Sequence, residues 1–169
     1  MRHRGRLRAA GHFAAAVAAT TLVGTIVQTQ INLYDIQQLG VDIPTAIRLR
    51  TTGEDLLGFS PTMAGLAAAA LLPAMPCAVW LARRYRWVRG ALFALGGWCA
   101  LTIAFFIADA VAPMPTLVAA TRSIVGAVAV AASGAAGGGL FYLLWSRAAR
   151  RAAQQTCAPV AMQAGAIDD

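Results

Sequence analysis

Residues 56–108 read LLGFSPTMAGLAAAALLPAMPCAVWLA, then RRYRWVR, then GALFALGGWCALTIAFFIA. The runs 56–82 and 90–108 contain no charged side chain, and four arginines stand in the short stretch between them. An apolar run of about 18 or more residues is long enough to cross the hydrocarbon core of a bilayer as a helix. The pattern continues in both directions, since 9–34 and 123–146 are also free of charge. The chain therefore reads as an all-α integral membrane four-helix bundle, up-down-up-down. Its spans are expected at about 9–32, 62–82, 90–108 and 117–146, within a domain covering 1–151.

Composition agrees. The 169 residues are 59% hydrophobic and 12% charged, against about a quarter charged in an ordinary soluble domain. All fourteen basic residues are Arg, and the formal net charge is +7. Such a charge suits nucleic acid, but its placement assigns it to topology instead, and no nucleic-acid partner is expected. Arg2, Arg4, Arg6 and Arg8, then Arg83, Arg84, Arg86 and Arg89, then Arg147, Arg150 and Arg151 fall on one side of the path. The other side receives Arg48, Arg50 and Arg122 with Asp35, Asp42, Glu54, Asp55 and Asp109. Arginine favours cytoplasmic loops, so both termini are expected to be cytoplasmic. The first apolar stretch outruns the ~7–15 residues of a cleaved signal and reads as a signal-anchor.

Helix 1 carries the most ordered polar pattern. Thr21, Thr25, Gln28, Asn32 and Asp35 follow steps of 4, 3, 4 and 3, which places them on one stripe. Two readings are open: hydrogen bonding to neighbouring helices, or a water-filled pocket with Asp35 at its mouth. The outer segment 33–61 interleaves charge with Leu39, Val41, Ile43, Ile47 and Leu49 and is punctuated by Gly40, Pro44, Gly53 and Gly58. It predicts two short amphipathic helices, one starting at Pro44 and one at a Thr51/Glu54 capping box. Ser60 is expected to cap helix 2, with Pro61 at its first position. Pro73 and Pro76 lie inside that helix, as a hinge or simply as shape.

Gly96, Ala100 and Ala104 on helix 3, and Gly134 and Gly138 on helix 4, form rows of small residues that let backbones approach closely in lipid. They predict pairing of those two helices, or pairing of two copies. Asp109 and Arg122 form a candidate ion pair at the outer interface, with Arg122 read either as an anchor or as a functional charge. At the inner face Arg83, Arg84, Arg86 and Arg89 are candidate contacts for anionic lipid headgroups, among the interfacial aromatics Trp80, Tyr85, Trp87, Tyr142 and Trp145. Residues 152–169 are expected to be a disordered cytoplasmic tail.

Chemistry is harder to find. There is no G-x-S-x-G, no H-E-x-x-H and no P-loop. No catalytic, cofactor-binding or metal-binding residue is assigned, and no cofactor is expected. Cys77, Cys99 and Cys157 form no C-x-x-C and read as buried small hydrophobes. His3 and His12 both lie near one end of one helix, which does not suit a haem between facing helices.

The stretches Leu39-Gly40-Val41-Asp42-Ile43-Pro44, Arg48-Leu49 and Asp55-Leu56-Leu57-Gly58 resemble small four-span inner-membrane proteins of Gram-negative bacteria. That resemblance implies the same topology and brings no activity or site residue with it. The sequence thus leads to a non-catalytic accessory membrane component that binds a membrane-protein partner or a second copy of itself. A small-solute channel or transporter subunit, acting as an oligomer, is the alternative.

Overall fold

In a computed structural model, which describes residues 2–111 and 123–165, every regular element is helical. The helices are α1 (Arg2–Gln38), α2 (Thr45–Gly58), α3 (Ser60–Arg84), α4 (Arg89–Val111) and α5 (Ile124–Gly165), with a 3-10 turn at Arg86–Val88 before α4. Four of them are long and apolar enough to cross a membrane, over Leu7–Gln38, Ser60–Arg84, Arg86–Val111 and Ile124–Arg151. At about 1.5 Å per residue, even the shortest exceeds a hydrocarbon core of about 30 Å.

The first three spans outrun their expected bounds at both ends for local reasons; the fourth outruns its expected end but begins at Ile124, and residues 117–122 of its expected range lie outside the described residues. No Gly or Pro interrupts α1 between Gly24 and Gly40, so its polar end stays helical until Gly40 takes a left-handed φ of +85°. The outer segment forms one helix, not two. Pro44 precedes its first turn and its carbonyl accepts the amides of Ile47 and Arg48 at 3.0 and 3.2 Å. The expected capping box lies inside this helix, where Glu54 accepts from Arg50 Nε at 2.8 Å. Gly53 costs about 1 kcal/mol there, too little to split a helix that good formers extend on both sides.

Ser60 is likewise the first residue of α3 rather than its cap, and its hydroxyl is buried without a partner. Phe59 stays near helical torsions, with φ −91° and ψ −27°, and is the sole residue between α2 and α3. Its amide donates to the Asp55 carbonyl at 2.8 Å and its carbonyl accepts from Met63 at 3.1 Å. Pro61 has no amide needing a cap. α3 runs unbroken past Pro73 and Pro76.

α5 begins where Ser123 accepts the Gly126 amide at 3.0 Å, an N-cap the sequence analysis did not single out. It continues to Gly165, through most of the segment expected to be a disordered tail, because Ala and Gln there are good helix formers.

Packing follows lipid logic. Small and polar residues such as Ala16, Ala67, Gly97, Thr25 and Ser133 are buried beside the larger apolar side chains of the interior. Leu22, Leu72, Leu95, Ile103, Phe106 and Val125 point outward. In water such a surface would aggregate; against acyl chains it needs no cover. α5 packs against α1 and α4, and α3 joins α4 and α1. Met63, Leu101, Phe105 and Val130 form one apolar cluster. Leu71, Met75, Phe93 and Phe141 form a second, at the end that holds Arg83–Arg89.

The seam between α4 and α5 is backbone on backbone. A Cβ on Gly97 would fall onto the Gly134 carbonyl, and one on Gly138 onto the carbonyl of Phe93. Gly134 and Gly138 thus lie where helices 3 and 4 of the sequence reading meet. The facing row is displaced by one residue, to Phe93, Gly97 and Leu101. Gly96, Ala100 and Ala104 turn instead toward a groove beside α3.

Candidate functional site: a buried polar face on α1

Thr20, Thr21, Thr25, Gln28 and Thr29 are all buried, each at most 6% exposed, along one side of α1. Positions 20, 21, 25, 28 and 29 span about half of the helix circumference, the half turned toward α3, α5 and α2. Close approach is possible because two glycines stand at the crossings. A Cβ on Gly137 of α5 would lie 2.7 Å from the Ala16 carbonyl and on the Thr20 hydroxyl. One on Gly24 would lie 2.9 Å from Ser133 Oγ and on the Met63 methyl.

α2 covers the far end of this face with its own polar side. Arg48, Thr52 and Asp55 are spaced 4 and 3 apart and so share a stripe. Asp55 Oδ2 lies 2.7 Å from the Thr29 hydroxyl, which is also 2.9 Å from the Thr25 carbonyl and can donate to only one of them at a time. Gln30 Nε2 donates to Thr52 Oγ1 at 3.2 Å, and that hydroxyl donates to the Arg48 carbonyl at 2.8 Å. The Arg48 guanidinium spans two amides, donating to Gln30 Oε1 at 3.1 Å and to Gln37 Oε1. α2 buries no residue of its own, so this network rather than apolar packing holds it to α1.

Below Thr29 the partners stop. Thr20, Thr21 and Thr25 Oγ1 and Gln28 Oε1 are buried with no hydrogen-bond partner among the described residues. Such groups are normally satisfied, by protein or by ordered water, and a run of them on one face is unusual. Toward the arginine end the face meets apolar packing: Ala16 is fully buried, and Phe93 stacks on Phe141 at 5.8 Å. His12 meets Phe141 edge-on at 6.5 Å.

Of the stripe read from sequence, Thr21, Thr25 and Gln28 are in this face. Asn32 is half-buried, and Asp35 is exposed, facing away from the side on which Gln30 and Gln37 meet α2. The acid at the site is Asp55, contributed by another helix. Its signal was present in the matching 4-3 spacing of Arg48, Thr52 and Asp55. The side chains can hydrogen-bond a ligand or water. Among the described residues no cluster of three His, Cys, Asp or Glu could hold a metal ion.

The other candidates separate. Arg122 lies outside the described residues, so the Asp109–Arg122 pair is not placed; Asp109 is half-buried near the end of α4. Arg83, Arg84 and Arg86 are exposed, while Arg89 donates Nε to the Ala82 carbonyl at 3.0 Å. Among the described residues the one salt bridge is Arg50–Glu54, whose hydrogen bond and charge raise the Arg50 pKa further. Cys77 and Cys99 are exposed on the lipid-facing surface, not buried, because Gly96 and the alanines beside them leave an open groove.

Unequal satisfaction along α1 gives a test. Thr29→Val should lower stability by about 1.5–3 kcal/mol, since Asp55 loses its donor. Thr25→Val should leave stability unchanged or raise it by about 1 kcal/mol, since it removes a hydroxyl without a partner. Thermal unfolding in detergent reads both. Equal losses would mean that water or a ligand occupies the face. No family model, curated protein or solved structure matches this chain.

Proposed function

We propose that this is a non-catalytic, multi-pass component of a bacterial inner membrane that binds a membrane-protein partner through α2. In this reading the four spans run up-down-up-down, with both termini cytoplasmic and α2 outside, as the arginine bias requires. The observation that carries it is the orientation of α2. The helix turns Arg48, Thr52 and Asp55 toward α1, leaving Leu49 71% and Leu57 84% exposed. Leu57 shares its outward stripe with the Arg50–Glu54 ion pair. A mixed surface of leucine and paired charge resembles a protein interface more than a face immersed in acyl chains.

A photo-crosslinker at position 57, in native membranes, should give one discrete protein adduct that Leu49→Glu abolishes. An adduct of twice the chain mass would identify the partner as a second copy. Lipid adducts alone would overturn the proposal.

A solute path in an oligomer has one observation in its favour, the unpartnered oxygens of Thr20, Thr21, Thr25 and Gln28. Against it, the Phe93–Phe141 stack and Ala16 fill the interior below them, so one copy is closed at that end. Replacing Thr25 and Gln28 with Leu tests it: loss of solute flux in reconstituted vesicles would favour the path, and unchanged flux would remove it.

A further inference from the structure

The groove between α3 and α4 holds about 760 Å³, and every residue lining it is apolar or cysteine. Its α4 wall runs from Leu92 to Val111, about 28 Å of helix, close to the thickness of the hydrocarbon core. Gly96, Ala100 and Ala104 give one wall its low relief, and Ala74 and Ala78 the other. At the closest approach a Cβ on Gly96 would rest 3.7 Å from the Ala78 methyl. Larger side chains such as Leu95 and Ile103 rise along the rim.

One end of this groove is charged and the other is not. The lining ends at Leu81 on α3 and begins at Leu92 on α4, and the connection between them contains Arg83, Arg84, Arg86 and Arg89. Arg89 is committed to the Ala82 carbonyl and fixes the turn. Arg83, Arg84 and Arg86 are exposed, and no carboxylate pairs with them: the acids among the described residues are Asp35, Asp42, Glu54, Asp55 and Asp109, none of which lies in this connection. Arg84 lies 5.8 Å over the Tyr85 ring, and positions 77, 81 and 84 follow steps of 4 and 3 along the groove side of α3. Trp80 and Trp87 flank the cluster, 73% and 96% exposed.

The part of this trough nearest the arginines, from Leu92 to Ala104, is about 18 Å of helix, close to the depth of one leaflet. With a cluster of exposed arginines at its mouth, it matches a molecule that is hydrocarbon along its length and anionic at one end. We propose that the α3–α4 groove is a binding site for one anionic phospholipid. Its acyl chains lie along Gly96, Ala100 and Ala104, and its phosphate is held by Arg83, Arg84 and Arg86. A transmembrane helix from a partner would fill the trough but leave the arginines without a counter-charge. Its charged mouth is at the opposite end of α3 from α2, and the site is independent of the partner proposed there.

The full chain, exchanged into phosphatidylcholine and then offered phosphatidylglycerol, tests this by native mass spectrometry. One phosphatidylglycerol should be retained per chain, with a preference over phosphatidylcholine that falls about tenfold in Arg83→Gln/Arg84→Gln. Gly96→Leu should also release it, with every arginine intact; a Cβ there meets the Ala78 methyl at an ordinary 3.7 Å, and an unchanged melting temperature in detergent is the control for the fold. In a Cys157→Ser background, phosphatidylglycerol should slow the modification of Cys77 and Cys99 by a lipid-soluble maleimide, and phosphatidylcholine should not. Equal retention of both lipids, wild-type retention in either variant, or a Cys99–Cys99 cross-link between copies would overturn the proposal. So would equal competition by soluble glycerol phosphate, which would reduce the site to a bare cluster of charge.

Discussion

Gly138→Val is expected to dismantle the bundle, with a loss of more than about 3 kcal/mol and no monodisperse species surviving purification. A Cβ there would land on the Phe93 carbonyl, 2.9 Å from its carbon and 3.5 Å from the Ala94 Cα. The obstruction is reciprocal along the seam. A Cβ on Gly134 would lie 2.8 Å from the Gly97 carbonyl carbon and 3.2 Å from the Leu101 Cβ. These are backbone atoms or atoms fixed to backbone, so no rotamer change relieves them, and α4 must move away from α5 along its length. In water, hydrophobic burial would hold loosened helices together; in lipid the separated faces are solvated just as well by acyl chains. Gly139→Ala is the matched control, since nothing lies within 4 Å of a Cβ at that position. Size-exclusion profiles and thermal melts in mild detergent compare the two. A Gly138→Val protein that elutes and melts like its parent would mean that this seam does not hold the bundle.

Phe93→Ala should cost about 3–5 kcal/mol without taking the helices apart. Phe93 is fully buried and meets three rings, Phe141 at 5.8 Å, Tyr142 at 5.5 Å and Trp145 at 6.0 Å. Gly90 lets the Tyr142 ring come close, since a Cβ there would be 3.3 Å from its edge. Truncation leaves a void that these rings cannot all fill, because each is attached to the same helix, α5. The near-ultraviolet circular dichroism of the aromatics should weaken while helix content is retained, and the melting temperature should fall. Phe93→Leu should recover most of the loss, because it restores much of the volume.

Sequence conveyed the spans well because charge-free length is a one-dimensional quantity, and a residue more or less does not alter it. Register is less forgiving. Gly96 and Gly97 are adjacent, each starts a row at four-residue spacing, and the rows differ by 100° around α4. Sequence alone cannot tell which row meets α5, and it was the row through Gly97 and Leu101. The α1 stripe shows a related limit. Thr21, Thr25 and Gln28 were readable from periodicity within one helix, whereas Thr29–Asp55 and Arg48–Gln30 depend on α2 folding back. Asp35 fits the period, but at its level the neighbour is α2, on the other side of α1 where Gln37 meets Arg48, and periodicity does not report which side a neighbour takes. The Thr51/Glu54 pair satisfies a capping pattern that is equally satisfied mid-helix, where Glu54 pairs with Arg50.

The single-residue joint at Phe59 couples two elements with different surroundings. α2 is held to α1 by hydrogen bonds, α3 crosses the bundle, and the main-chain bonds from Phe59 to Asp55 and Met63 leave no slack between them. A change in the tilt of the short helix therefore has to be absorbed by the first turn of the long one, because no flexible residue stands between them.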